Sequence, residues 1–155
     1  MIEIREKTSA DTSQVKQITL LATAELRRIY IPTLGRGQNQ DKPITSNPTC
    51  LVACKEEMIV GVTEYTVLVD ELHIGGLAVH PEYRRQGLAR SLIQAVTQLA
   101  IGMGKKKMGI STIKETGNVE IFTRMGFHLD KETVAIGFQH TDGQPVIRVD
   151  MYRYV

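Results

Sequence analysis

The chain has too few cysteines to be a disulfide scaffold. It carries two, Cys50 and Cys54, both in a run that reads as strand, on one face and about 13 Å apart at ~3.3 Å per residue. A disulfide needs Cα atoms within about 7 Å, so both are expected as buried, reduced thiols. With no histidine close by in sequence they also make a poor metal site, and no metal is expected. Charge of one sign is equally scarce: 19 Lys and Arg face 17 Asp and Glu, for a formal net charge of +2. That is too little to suggest a nucleic-acid partner. Nowhere does an apolar run approach the ~18 residues of a membrane span. The first residues, "MIEIREKT", are charged from the third onward and lack the apolar centre of a signal peptide. These absences set the expectation of a cytoplasmic protein with neither nucleic acid nor membrane as partner.

What is present is a globular composition, 42% hydrophobic and 23% charged over 155 residues. This length suits one compact domain, residues 1–155, with a sizeable core. Ile2 and Ile4 alternate with Glu3 and Arg5 as in a strand. Asp11 followed by Gln14 resembles a capping box, and Val15, Ile18, Ala22, Leu26 and Ile29 then recur at helical spacing. The pattern dissolves over residues 30–49, an expected long loop of the kind that is usually functional or mobile. Three strands follow, 50–56, 58–69 and 72–79. Gly75 and Gly76 in the last of them are costly unless a bulge or a close backbone approach needs them. Leu88, Leu92, Val96, Leu99 and Met103 form the apolar stripe of the clearest helix, ended by Gly102 and Gly104. A strand at 108–113, a short helix capped by Asn118, and a final hairpin across "TDG" complete the chain. The order β-α-loop-β-β-β-α-β-α-β-β reads as an α+β domain on a mixed, mostly antiparallel sheet of about six to seven strands with flanking helices.

The junction Arg84-Arg85-Gln86-Gly87-Leu88-Ala89 stands between the strand at 72–79 and that clear helix. A helix opening carries unpaired N–H groups and a partial positive charge, which suit a phosphate. Gly87 permits close approach of backbone to ligand, and Arg84, Arg85 and Arg90 add charge. A plain strand-to-helix turn with solvated arginines is the alternative.

The whole span "LHIGGLAVHPEYRRQGLARSLIQAV" (72–96) resembles the central motif of the GNAT-type N-acetyltransferase family, with Arg84, Gly87 and Ala89 at its three defining positions. The later "GNVEIFTRMGF" (117–127) is similar to that family's second cofactor-side segment, and the order of elements matches. The resemblance implies acetyl-coenzyme A as donor, its pyrophosphate on the backbone N–H groups of Arg85, Gln86, Gly87, Leu88, Ala89 and Arg90. It implies that the pantetheine arm runs beside Leu77-Ala78-Val79, on a strand bent by a bulge at Gly75-Gly76. One N–H near Leu77 to Val79 would polarise the thioester carbonyl, and Arg85 or Arg90 would reach the ribose phosphate.

An amine acceptor is mostly protonated at neutral pH, so a base is useful. Where several members carry a glutamate, this chain has His73, and an imidazole suits proton transfer near neutral pH. Glu71, on the same face, is the alternative or an orienting partner; Glu64 is a third candidate. Many members use a tyrosine as acid for the leaving thiolate, at the position held here by Phe122, which has no proton to give. Ser111 and Thr112 are weak substitutes, and Phe122 is expected to pack beside the sulfur end. Asn118 is a further expected cofactor contact. For the acceptor, Tyr30, Arg36, Asn39 and Asp41 are candidate lining residues; Arg27 and Arg28 hint at an anionic group or form a solvated face. The resemblance thus implies acetyl transfer to a primary amine of a small molecule or peptide, by direct attack in a ternary complex. Two other readings stay open: a non-catalytic acyl-coenzyme A-binding module on this fold, and another α+β domain whose turn holds a different phosphorylated ligand. The long final strand leaves room for a homodimer.

Overall fold

The computed structural model describes residues 1–33 and 47–155. The candidates Arg36, Asn39 and Asp41 lie outside them. The strands are β1 (Ile2–Glu6), β2 (Tyr30–Pro32), β3 (Thr49–Lys55), β4 (Met58–Val67), β5 (Glu71–Val79), β6 (Lys107–Ile113), β7 (His128–His140) and β8 (Pro145–Tyr154). The helices are α1 (Thr12–Ala22), α2 (Leu88–Gly102) and α3 (Asn118–Arg124). All strands join one sheet in the order β1-β3-β4-β5-β6-β8-β7-β2. Among the described residues only β5 and β6 run parallel; every other neighbouring pair of these strands is antiparallel. The eight strands are one more than the upper expectation. The extra one, β2, is three residues long and ends in a proline, too short to show alternation and tolerated only at a sheet edge.

α2 carries the core. Its Leu92, Val96 and Ala100 have no exposed surface; Val96 and Ala100 pack with Leu72, Ile74, Met108 and Ile110 of the two parallel strands, and Leu92 with Ala53 and Val60 of β3 and β4. A Schellman closure ends the helix: Lys105 N–H reaches Ala100 O at 2.9 Å across the left-handed Gly104. α1 covers the opposite face, where Ile18 packs on Val52, Val62 and Ala78. Its entry differs from the expected Asp11/Gln14 box. The Asp11 carboxylate instead accepts from Thr8 N–H at 2.8 Å and from Arg5 at 2.7 Å, while the Gln14 carbonyl accepts from Ile59 N–H on β4 at 3.2 Å. Leu26 and Ile29 do not continue α1, which stops at Ala22; Leu26–Arg28 form a separate single turn. Asn118 likewise is the first residue of α3, and the cap is the left-handed Gly117. Cys50 and Cys54 are free thiols, the first only half-buried.

The feature that shapes the site is in β5. Leu77 pairs with Thr63 and Gly76 with Glu64, but Ile74 pairs with Tyr65, so Gly75 is one residue too many for the ladder. The bulge reverses the side-chain alternation. Leu72 and Ile74 before it, and Leu77 and Val79 after it, all face α2. Ala78 faces α1, on the side where Glu71 and His73 also lie.

Candidate active site

The two parallel strands stay together only from Glu71 beside Lys107 to Ile74 beside Ile110. Beyond the bulge β5 follows β4, while β6 follows β8 through Ser111 beside Asp150 and Ile113 beside Arg148. The sheet therefore forks at Gly75. The fork opens a cleft of about 500 Å³, with His73 and residues 75–77 on one wall and residues 111–113, Phe122 and Phe138 on others. This size lies within the range of small-molecule sites.

The edge of β5 facing the fork offers hydrogen-bond donors. His80 N–H bonds Val60 O at 2.9 Å, which sets the phase of the β4–β5 ladder. By antiparallel alternation, Ala78 and Gly76 point their amides at β4, and Leu77 and Val79 point theirs into the fork. Ala78, expected among the contacts, is therefore turned away in both amide and side chain.

At the far end of β5 lies the turn into α2. Gly87 is left-handed at φ 80°, and a Cβ there would meet open space. Arg85 is also left-handed, at φ 63°. The first bond of the helix is Ser91 N–H to Gly87 O at 2.9 Å. Among the described residues, the N–H groups of residues 85–90 find no acceptor in the protein. Leu88 anchors the turn, 3% exposed, while Arg85, Gln86 and Arg90 are exposed. Arg90 also borders a second cavity of about 400 Å³ with Gln94, Met125 and Arg153. Arg84 turns back: its guanidinium donates to Ala22 O at 3.1 Å and pairs with Glu25 at 3.4 Å. Its side chain thus fastens the turn to the end of α1.

In the fork sits a polar chain. His73 Nδ1 is 3.4 Å from Glu71 Oε2, and His73 Nε2 is 2.9 Å from Ser111 Oγ. Ser111 Oγ is 2.6 Å from Asp150 Oδ1, and Arg148 donates to both, at 3.1 Å and 3.0 Å. Hydrogen counting assigns the protons. Ser111 has one hydrogen, and the short contact to a carboxylate needs it. His73 then donates its Nε2–H to Ser111, which leaves Nδ1 facing Glu71. Gly109 on β6 makes room for this pair, since a Cβ there would overlap Glu71 Oε2.

The other candidates fall out as follows. Glu64 is exposed and outside the cleft lining. Thr112 and Asn118 line the cleft. Phe122 lines it too, 8% exposed, edge-on to Phe127 with centroids 6.2 Å apart. Arg27 is occupied at α1, donating to Leu20 O at 3.1 Å and Thr23 Oγ1 at 3.0 Å, and Arg28 is exposed. Tyr30 lines the cleft, and burial raises its phenol pKa. Arg148 and Asp150 are the residues that sequence patterning missed. Their alternation on β8 was visible, but β8 lies beside β6 only because β7 folds outside it.

A forked α+β sheet with a free-amide turn at the start of a helix suits an extended, phosphorylated ligand. Residues 19–127, more than half of the chain, match the model of the acetyltransferase (GNAT) family; the protein belongs to that family. No curated protein matches it. Among solved structures it resembles the ribosomal-protein-S18-alanine N-acetyltransferase from Escherichia coli, at 16% identity and TM-score 0.72 over 100% of this chain and 94% of that one. It also resembles the IAA acetyltransferase from Bacillus cereus, at 14% identity and TM-score 0.70 over 100% of both chains. A third is the PaiA N-acetyltransferase from Thermoplasma acidophilum in complex with coenzyme A, at 12% identity and TM-score 0.67 over 100% of this chain and 99% of that one. At these identities the likeness shows the shared fold. The family uses acetyl-coenzyme A, and the residues present fit it: free amides for a diphosphate, a free strand edge for an extended amide-bearing arm, and a cleft where the two strands part.

Proposed function

We propose that this protein transfers an acetyl group from acetyl-coenzyme A to a primary amine by direct attack in a ternary complex. When bound, the cofactor supplies an acyl thioester carbon open to a neutral amine. In this reading the amides of residues 85–90 hold the diphosphate, with Arg85 or Arg90 near the ribose phosphate. The amides of Leu77 and Val79 hold the extended arm, and one of them steadies the carbonyl oxygen. His73 Nδ1, backed by Glu71, accepts the proton that the amine sheds, directly or through a water. Ser111, fixed by Asp150 and Arg148, holds the ring so that Nδ1 stays the accepting atom. The observation that carries the reading is the coincidence of the polar chain with the fork: His73 lines the same cleft as residues 75–77.

Phe122 favours a second reading. A side chain without a proton stands where a leaving thiolate would meet its acid, as in a protein that binds acyl-coenzyme A without turning it over. Thermal shift and thiol release separate the two. Both readings expect stabilisation by coenzyme A and acetyl-coenzyme A and none by ATP alone. The transferase reading further expects thiol release across a panel of amines, lowered at neutral pH in His73→Ala with cofactor affinity unchanged. Tight cofactor binding without turnover on any amine would leave the binding module.

A further inference from the structure

The cleft has a polar pole and an apolar wall. Apart from the Tyr30 phenol, His73 and Arg148 are the charged or chargeable side chains among its described lining, both of basic type, and the Asp150 carboxylate behind them is already engaged by Ser111 and Arg148. Much of the remaining lining is apolar: Leu26, Tyr30, Ile136 and Phe138, with Ile113 beside Arg148. Tyr30 meets Phe138 edge-to-face, with centroids 5.5 Å apart. Ile136 is 61% exposed and Phe138 38% exposed. An apolar ligand in the cleft would take this surface out of water. Gly137, left-handed at φ 89°, kinks β7 between them, and Thr33 N–H holds the kink through Gly137 O at 2.9 Å. Both neighbours of this glycine line the cleft, two residues apart as strand alternation places side chains on one face.

Taking the transferase reading as its premise, we infer that the acceptor is a single primary amine carried on an apolar, aromatic or branched body. A polycation does not suit this cleft. It would set its second charge against Arg148 or against the apolar wall, with no free carboxylate among the described lining to receive it. A lone amine instead places its nitrogen at the His73 pole and its body against Ile136 and Phe138. The three guanidinium hydrogens that Arg148 does not spend on Ser111 and Asp150 leave room for an acceptor that also bears a carboxylate.

The test is thiol release from acetyl-coenzyme A by the whole chain, read as kcat/KM. The apolar arm is phenethylamine and isoamylamine, with L-phenylalanine and L-leucine reporting whether a carboxylate is wanted. The cationic arm is spermidine and cadaverine. At least one apolar amine should exceed both polyamines by at least about tenfold, the size of effect one or two buried methylenes give. Ile136→Glu, at an exposed position that tolerates the change, should lower kcat/KM for the apolar amine about tenfold and raise it for spermidine. Val134→Glu, 60% exposed on the same strand but outside the cleft lining, should alter neither. Faster turnover of the polyamines overturns the acceptor class and leaves the transferase reading standing. So does equal loss in both glutamate variants. Absence of any shift with coenzyme A overturns the transferase reading itself, and turnover of neither arm by cofactor-bound protein overturns both.

Discussion

Gly109 lies beside His73 across the parallel ladder, and a Cβ built on it would stand 2.7 Å from His73 Nδ1. No real side chain sits that close, so the glycine is the space in which the imidazole and Glu71 rest. Gly109→Ala should push the ends of both side chains aside while the strands stay paired, because the clash is with movable tips. The expected result is a fall in kcat of roughly tenfold to a hundredfold, with coenzyme A affinity nearly unchanged in a thermal-shift titration. Unaltered kcat would show that the position of His73 does not matter to the reaction.

Gly87 offers a cleaner separation of fold from ligand. Its φ of 80° disfavours any residue with a Cβ, yet the space around it is open. Gly87→Ala should therefore cost about 1 kcal/mol of stability, a drop of roughly 2–4 °C in Tm for a chain of this size. The loss of coenzyme A stabilisation should be larger, since the new methyl projects where a diphosphate would approach. Retention of the full ligand-induced shift in differential scanning fluorimetry would move the phosphate site elsewhere.

The pair Arg5–Asp11 makes stability depend on acid. Arg5 first, and then the Thr8 N–H, hold the Asp11 carboxyl well below the usual carboxylate range. A carboxyl whose pKa is lowered by folding stabilises the native state at pH values above its unfolded pKa, about 3.9, and loses that contribution as pH falls toward the folded value. Asp11→Asn should lower Tm by a constant amount from pH 8 to pH 5. The gap should narrow below about pH 4. A gap independent of pH down to 2.5 would mean that the charge of Asp11 is not what stabilises the entry to α1.

The β3–β4 hairpin turns through Glu56 and Glu57 at φ 55° and 37°. Both central residues of such a two-residue turn favour Asn or Gly, and a glutamate there is strained. Glu57→Gly should raise Tm by roughly 2–4 °C, equivalent to about 1 kcal/mol. Melting curves decide it, and cofactor affinity should stay level because the turn lies outside both cavities.

Where structure follows from neighbours in the chain, the sequence could be read directly. The apolar stripe of α2 is the buried face, with Leu92 and Val96 fully enclosed. The "TDG" turn closes through His140 N–H to Gln144 O at 2.8 Å, and the paired glycines of β5 do carry a bulge. The motif at residues 84–89 likewise yielded its free amides. What escaped depends on distant pairing. Ser111 meets Asp150 only because β8 returns between β6 and β7. β7 begins at His128, well before its apolar residues Val134, Ala135, Ile136 and Phe138, because its first half is exposed and carries no hydrophobic alternation. The role of Arg84 as a clasp on α1 needed the third dimension too, since Ala22 and Glu25 are remote in the chain.

The supernumerary residue at Gly75 has a consequence for how such a protein can change. A strand with an odd insertion serves one interior before it and the same interior with opposite numbering after it, so the fork is written in chain length and not in side-chain chemistry. Point substitutions around residues 71–79 can retune acidity, shape or polarity. A deletion of Gly75 would restore an unbroken ladder with Leu77 and Val79 still turned inward, and would remove in a single genetic step the irregularity at which the sheet forks.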